Sequence, residues 1–431
     1  NEYTTLTGNG SMPYQIVVSQ DGNVYIALDY LAQYTALQYS VEQEPLHIII
    51  NNQWGTKTFS DVIKEESVRL DADIKSPILK KEATGDKVTV LEQEEEWTKV
   101  LTADGYIGYM KSKKLSDSYE EQVTSDFRAA EYTSIHKDYD MNLLWHQVTS
   151  QDSNDALAAD IQDVKGVNVI SPTWFSISSN DGDISSLASS DYVDTAHQND
   201  MEVWGLMDNF STDIDTDTVL GTTTSRENLE GQLITEALNY QLDGINIDIE
   251  SLPEETSESY VQFMRELSVK CRNNNLVLSV DVPSPYSFNE HYSQKELGEV
   301  VDYVIIMGYD EHFAGSYEAG SVASYNYVKE GIEETLRDVP ADKVINAVPF
   351  YTRLWNETPK TDEERAEDQG TEAESYPMKV TSEALGMEEA AQRVSEAGAT
   401  VTWDDTAKQN YAEWQGDNDS TYRIWLEDAS S

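Results

Sequence analysis

Isoleucine recurs at 245, 247 and 249 within residues 243–250, alternating with Asn246, Asp248 and Glu250. A period of two predicts a β-strand with one apolar face packed under other elements. The opposite face then carries an amide and two carboxylates in a row, about 6.6 Å between successive side chains. Such a row is costly to bury, so it calls for open solvent or a chemical task. A half-exposed strand with a solvated acidic face would meet the first condition. Long helical patterns nearby argue for burial, and so for the second.

From about Tyr132 onward the chain alternates strand and helix patterns. Apolar strand candidates are Leu143–Val148, Val167–Phe175, Met201–Met207, Gly244–Ile249, Leu276–Val282, Val301–Met307 and Val344–Phe350. Helical stretches such as Glu255–Arg272 and Ala323–Arg337 lie between them. Nearly continuous apolar strands joined by helices predict a parallel sheet covered by helices. The run of seven predicts an α/β fold of the (β/α)8 TIM-barrel type rather than an open sheet. No glycine-rich phosphate loop follows the first strand, which argues against a dinucleotide fold.

The first 132 residues read differently. Residues 1–65 hold short alternating runs at Gln15–Val18, Val24–Leu28 and Leu46–Ile50 around a helical stretch near Tyr30–Leu37, a small α+β module. It resembles the stalk-type domain found at the N-terminal part of copper amine oxidases. His47 is its single histidine, so no copper chemistry follows. Residues 66–118 carry closely spaced strands at Pro77–Leu79, Lys87–Leu91, Trp97–Leu101 and Tyr106–Met110. Ala103-Asp104-Gly105 is a hairpin signal. With its Glu-Trp-Thr-Lys-Val and Gly-Tyr-Ile-Gly-Tyr strands at 96–100 and 105–109, this segment resembles a bacterial Src-homology-3-like β-barrel. Such barrels often accompany cell-wall enzymes. Residues 119–132 read as a linker, and 133–431 as the barrel.

Charge narrows the partners. Lys plus Arg number 29 against 80 Asp plus Glu, a formal charge of −51. A chain this acidic repels phosphate backbones and anionic lipid surfaces, which disfavours nucleic acid and membrane surfaces as partners. No apolar run approaches the ~18 residues of a membrane span. Cys271, the single cysteine, precludes an internal disulfide and falls on the apolar side of a helical pattern with Tyr260, Phe263, Met264 and Leu267. Asp213, Asp215 and Asp217 imitate a calcium loop, but Thr218 and Thr224 occupy its glycine and glutamate positions. Neither a metal site nor a cofactor is expected.

Residues 243–250 resemble the Asp-x-x-Asp-x-Asp-x-Glu strand of family 18 glycoside hydrolases, the chitinase family. Asp243, Asp248 and Glu250 match, and Asn246 stands at the second aspartate. The likeness extends to Asp281-Val282-Pro283, Met307-Gly308-Tyr309-Asp310 and the run Val348 to Arg353, each at a predicted strand end. TIM barrels place their active sites at that end. The loop Asp310–Ser324, with Pro172–Phe175 and Val203–Leu206, resembles the branch of spore and cell-wall peptidoglycan hydrolases. The resemblance runs from about residue 133 to the end, with an α+β insertion after strand seven at about 356–431. The seventh helix, the eighth strand and its floor tryptophan are not visible before Ser431. The expectation is therefore a barrel whose eighth strand is missing from this chain, and an isolated chain incomplete as a catalyst.

The resemblance implies roles. Glu250 would protonate the leaving oxygen and later activate water. Asp248 would orient the substrate's 2-acetamido group and balance its charge, while Tyr309 would donate to the acetamide oxygen. Asn246, Met307, Asp310, Tyr351, Arg353, Trp174 and Asp281 would bind substrate. Read from the residues alone, Met307 is first of all barrel packing, and Trp174 is equally a sugar platform or a loop anchor; Asp243 reads as a loop cap. Asn246 would hydrogen-bond Asp248. The implied protein is a glycosidase for N-acetylglucosamine-containing glycan, extracellular, on the wall or spore surface of a Gram-positive bacterium. A chitinase on chitin oligomers and a non-catalytic carbohydrate-binding coat protein are the alternatives.

Overall fold

The computed structural model describes residues 15–43, 45–128, 133–417 and 419–430. The chain divides into two units, Asn1–Glu131 and Tyr132–Ser431.

In the first unit, hairpins Val17–Gln20/Asn23–Ile26 and Gln38–Gln43/Leu46–Asn51 flank the helix Leu28–Tyr34. A seven-stranded antiparallel sheet follows, closed around Val62, Val68, Val88, Val100, Met110 and Leu115. The hairpin at 102–106 turns on Gly105, whose φ of +87° is a conformation that glycine adopts without strain. Two expected boundaries differ. Gly55–Asp61, assigned above to the first module, pairs with Lys87–Gln93 inside this sheet, and Tyr119–Val123, read as linker, pairs with Gly55–Asp61. Both pairings join strands far apart in sequence, invisible to a local pattern.

The second unit carries seven parallel strands in sequential order: β1 Leu143–His146, β2 Val169–Ile177, β3 Glu202–Asp208, β4 Gly244–Asp248, β5 Val277–Pro283, β6 Tyr303–Met307 and β7 Val344–Ala347. Helices Ser190–Gln198, Thr223–Asn239, Ser257–Asn273, Gln294–Val300 and Tyr325–Thr335 follow β2 to β6 in turn. This is a partial TIM barrel. Ile245, Ile247 and Ile249 are fully buried with Tyr260, Phe263, Met264, Leu267 and Cys271 of the Ser257–Asn273 helix. Among the described residues, β1 pairs only with β2 within the parallel sheet and β7 only with β6. A cavity of about 510 Å³ is lined by both outer strands, through Leu143, Leu144 and Trp145 of β1 and Ile345, Asn346 and Ala347 of β7.

After β7 comes a five-stranded antiparallel sheet, from Tyr351–Pro359 to Thr421–Leu426, packed on helix Met387–Glu396 through Leu354, Leu385, Ala390, Val394, Ala412 and Ile424. It begins at Tyr351, five residues before the expected insertion start at 356, because Tyr351 already pairs with Gly386. Trp355 is fully buried there, and its indole N–H donates to Gly320 O at 2.8 Å, fastening the insertion to the loop after β6. Among the described residues, no helix is long and apolar enough to cross a membrane.

Candidate active site

The site is built where β3, β4 and β6 give way to loops. Asp248 ends β4, and Glu250 lies two residues beyond, so the period of two sends both carboxylates to the inward face. Asn209, following β3, clamps the backbone of Glu250 from both sides. Its amide N–H donates to Glu250 O at 3.0 Å, and its Oδ1 accepts from Glu250 N at 3.0 Å. The chain then turns sharply through Ser251, at φ +51°.

Asp248 is 8% exposed, and its Oδ1 is buried without a protein partner. Burial first, then the charges of Glu250 and Asp208, pushes its pKa up to about 7. Glu250 is half-buried and also raised, by burial and by the Asp310 and Asp208 charges. The Glu250 charge thus makes ionisation of Asp248 harder, and a proton is retained nearer neutrality than an isolated carboxylate would hold it. Tyr309, after β6, is mostly buried, its ring edge-on to Trp145 at 6.3 Å and to Tyr351 at 6.3 Å. Burial, with the charges of Asp281, Asp248 and Glu250, drives its ionisation far upward, so its hydroxyl remains a donor. Gly308 permits this placement: a Cβ there would lie 2.6 Å from Asn346 Oδ1 and 2.8 Å from Ala347 O. Asp310 follows at φ +61° and accepts from the Tyr351 hydroxyl at 2.5 Å. Met307 lines the same cavity as Glu250 and Tyr309.

Five expectations are corrected. Trp174 offers no sugar platform: it is 1% exposed, packed against Tyr192 and Phe175, and its indole N–H donates to Asn154 Oδ1 at 2.8 Å. Asn246 and Asp281 are also closed to substrate, at 0% and 1% exposure. Asn246 does not bond Asp248; its amide donates to Asp281 Oδ1 at 2.9 Å while its Oδ1 accepts from Trp145 Nε1 and Ser171 Oγ. The two side chains form a polar floor beneath Asp248 rather than a substrate contact. Arg353 turns toward the inserted sheet, donating to Ser382 Oγ at 3.0 Å. Asp243 accepts from Val203 N and contacts His197, tying the start of β4 to its neighbours. Asp215 caps helix Thr216–Gly221, a structural use of the calcium-like run.

Three participants went unread in the sequence: Asp208, Asn209 and Trp145. Asp208 is 7% exposed at the end of β3, its carboxylate accepting from Ser176 Oγ and Phe210 N, both at 3.1 Å. The signal was available, since Asp208 follows an apolar run at a strand end as Asp248 does. Trp145 looked like one more apolar residue of β1, and only its partner Asn246 marks it as part of the floor.

A family model, Glycosyl hydrolases family 18, matches residues 203–431, more than half of the chain and all of the strand ends just described except those of β1 and β2. The chain belongs to glycosyl hydrolase family 18. A bacterial SH3 domain model matches residues 67–116. The Bacillus subtilis glycosylase YvbX is 28% identical over 202 residues, 44% of this chain and 58% of that protein. The cortical fragment-lytic enzyme of the same organism is 24% identical over 219 residues, 49% of this chain and 47% of that one. The chain spans about half the length of the curated relatives it matches. Among solved structures, YdhD of B. subtilis, provisionally named a sporulation-specific glycosylase, superposes with a TM-score of 0.53 at 25% identity, covering 61% of this chain and 85% of that one. The Bacillus cereus spore cortex-lytic enzyme SleL shares the fold, with a TM-score of 0.56 at 19% identity over 72% of this chain and 68% of that one.

Proposed function

We propose that this family 18 chain is a glycosidase that cleaves β-1,4 linkages next to N-acetylglucosamine in bacterial cell-wall glycan, with retention at the anomeric carbon. The observation that carries the reading is the pairing of Glu250 with Asp248 at one strand end, both raised in pKa, with Glu250 facing an open cavity. Glu250 keeps its proton until the glycosidic oxygen leaves and takes one back from water afterwards. The nucleophile is the substrate's own acetamide oxygen, which closes on the anomeric carbon. Asp248 balances the positive charge that this ring gathers, and Tyr309 donates to the acetamide. The chemistry draws on these side chains and the substrate, without a cofactor or a metal. Met307, Asp310 and Tyr351 line the sugar site; Asn246 and Asp281 form the polar floor beneath Asp248.

The names of the relatives, a cortical fragment-lytic enzyme and a sporulation-specific glycosylase, support a spore or cell-wall location outside a Gram-positive cell. The bacterial SH3 match beside the barrel fits the same setting. A binder without turnover has no use for two carboxylates held at this electrostatic cost.

The test is to incubate the protein with purified peptidoglycan and, separately, with chitin oligomers, following products by mass and the first-formed anomer by NMR. Peptidoglycan fragments ending in reducing N-acetylglucosamine, β at first, are expected. Initial α-anomers, or release of muramic reducing ends, would overturn the reading; exclusive cleavage of chitin oligomers would place the protein with chitinases.

A further inference from the structure

A proton donor has to meet the departing oxygen, so the leaving sugar sits in the cavity onto which the donor opens. For Glu250 that cavity is about 500 Å³. Its outer wall is a run of aromatic rings. Tyr286 and Phe288 stack at 5.7 Å and 7°, and Tyr286 lies against Tyr327 at 6.2 Å and 29°. Phe288 is 77% exposed and Phe313, on the loop after β6, 53%. Flat rings left open to solvent beside a catalytic acid suit the C–H faces of a pyranose.

Charge on this wall is of one sign. Asp310, Glu311 and Glu330 line the cavity, and among the described residues no Lys or Arg does. Glu311 is held in place by Ser324, whose N–H and hydroxyl donate to it at 2.8 and 3.0 Å. Glu330 projects from the exposed face of helix Tyr325–Thr335. Both charges reach the Tyr286 hydroxyl and, after burial and Tyr327, help raise its pKa. A carboxylate on a sugar resting against these rings would face three like charges with no counter-ion.

We propose that this cavity is the leaving-group subsite and that its acidic rim selects an uncharged sugar over one whose 3-O-lactyl ether carries a free carboxylate. The inference rests on the glycosidase reading above and narrows its substrate to glycan in which that carboxyl is absent or capped as an amide. Glu330 and Glu311 are specificity residues, and Phe288 and Tyr286 the platform.

The experiment uses three matched oligosaccharides that differ only in the leaving sugar: N-acetylglucosamine, its 3-O-lactyl carboxylate, and the amide of that carboxylate. At low ionic strength kcat/KM for the carboxylate is expected to fall roughly tenfold below that of the amide, the gap shrinking with added salt. Glu330→Lys, on an exposed helix face, is expected to narrow the gap at least threefold. Equal cleavage of carboxylate and amide, or a gap that neither salt nor Glu330→Lys moves, overturns the proposal while leaving the hydrolase reading intact. Binding of the same three ligands to Glu250→Gln, followed calorimetrically, is expected to rank them identically. That ranking without turnover in the unsubstituted protein would uphold the subsite and sink the hydrolase reading; no ranking would overturn the subsite.

Discussion

At the scale of single residues, Asp248 is held where ionisation is disfavoured. Its pKa, up at about 7 against an ordinary 3.8, means the folded chain keeps a proton that the unfolded chain loses. Stability therefore falls as pH rises from the lower value to the upper one and is level above it. Asp248→Asn removes the penalty: relative to the unsubstituted protein it should gain up to about 4 kcal/mol at pH 8 and almost nothing near pH 4, with turnover lost. Urea melts at the two pH values check this; an equal change at both would contradict the linkage. Asn246→Asp exchanges an amide that donates to Asp281 for a carboxyl that must share a proton with it. The pH–rate profile should shift while the melting temperature changes little, and superimposable profiles would count against the polar floor. Trp174 shows where reading single residues stops. A tryptophan beside a strand end fits a sugar platform and a core anchor equally, and only Asn154 and Tyr192, remote in the pattern, decide for the core.

Among elements, the helix pair Thr223–Asn239 and Ser257–Asn273 holds an ion pair at its seam. Lys270 Nζ lies 2.6 Å from Glu230 Oε2, with Glu230 fully buried and Lys270 partly exposed. Burial outweighs the lysine and lifts the Glu230 pKa to about 7, so the carboxylate is a net cost at higher pH. Glu230→Gln should be neutral or stabilising by roughly 1 kcal/mol at pH 8, whereas Lys270→Ala, which strands a buried charge, should cost about 3 kcal/mol. Chemical denaturation of both variants decides; a larger loss for Glu230→Gln than for Lys270→Ala would reverse the account. The same contrast explains what was legible. All seven parallel strands carried apolar runs within a few residues of their observed limits, and the five inner ones are buried at nearly every position, which writes burial into the whole run. The strands Tyr119–Val123 and Tyr351–Pro359 were placed wrongly because their partners, Gly55–Asp61 and Met378–Gly386, are set by pairing across distance. Asp248 and Glu250 were legible as neighbours since they share one alternating run; Asp208 and Asn209 approach them from the end of the next strand.

For the whole molecule, a formal charge of −51 sets long-range behaviour. Anionic cell-wall fragments are repelled at distances where contacts play no part. Turnover of such fragments should rise with ionic strength up to about 0.2 M, where the screening length falls below roughly 8 Å, and neutral oligomers should be indifferent. Rates falling with salt for both substrates would contradict this. The central claim is that Glu250, with Asp248 beside it, delivers the proton to the leaving oxygen. Its most direct test is reducing-end release from N-acetylglucosamine-containing glycan by Glu250→Gln, with ligand binding measured in parallel. The account predicts turnover lowered by about 10³-fold or more with binding retained; turnover at the level of the unsubstituted protein would contradict it.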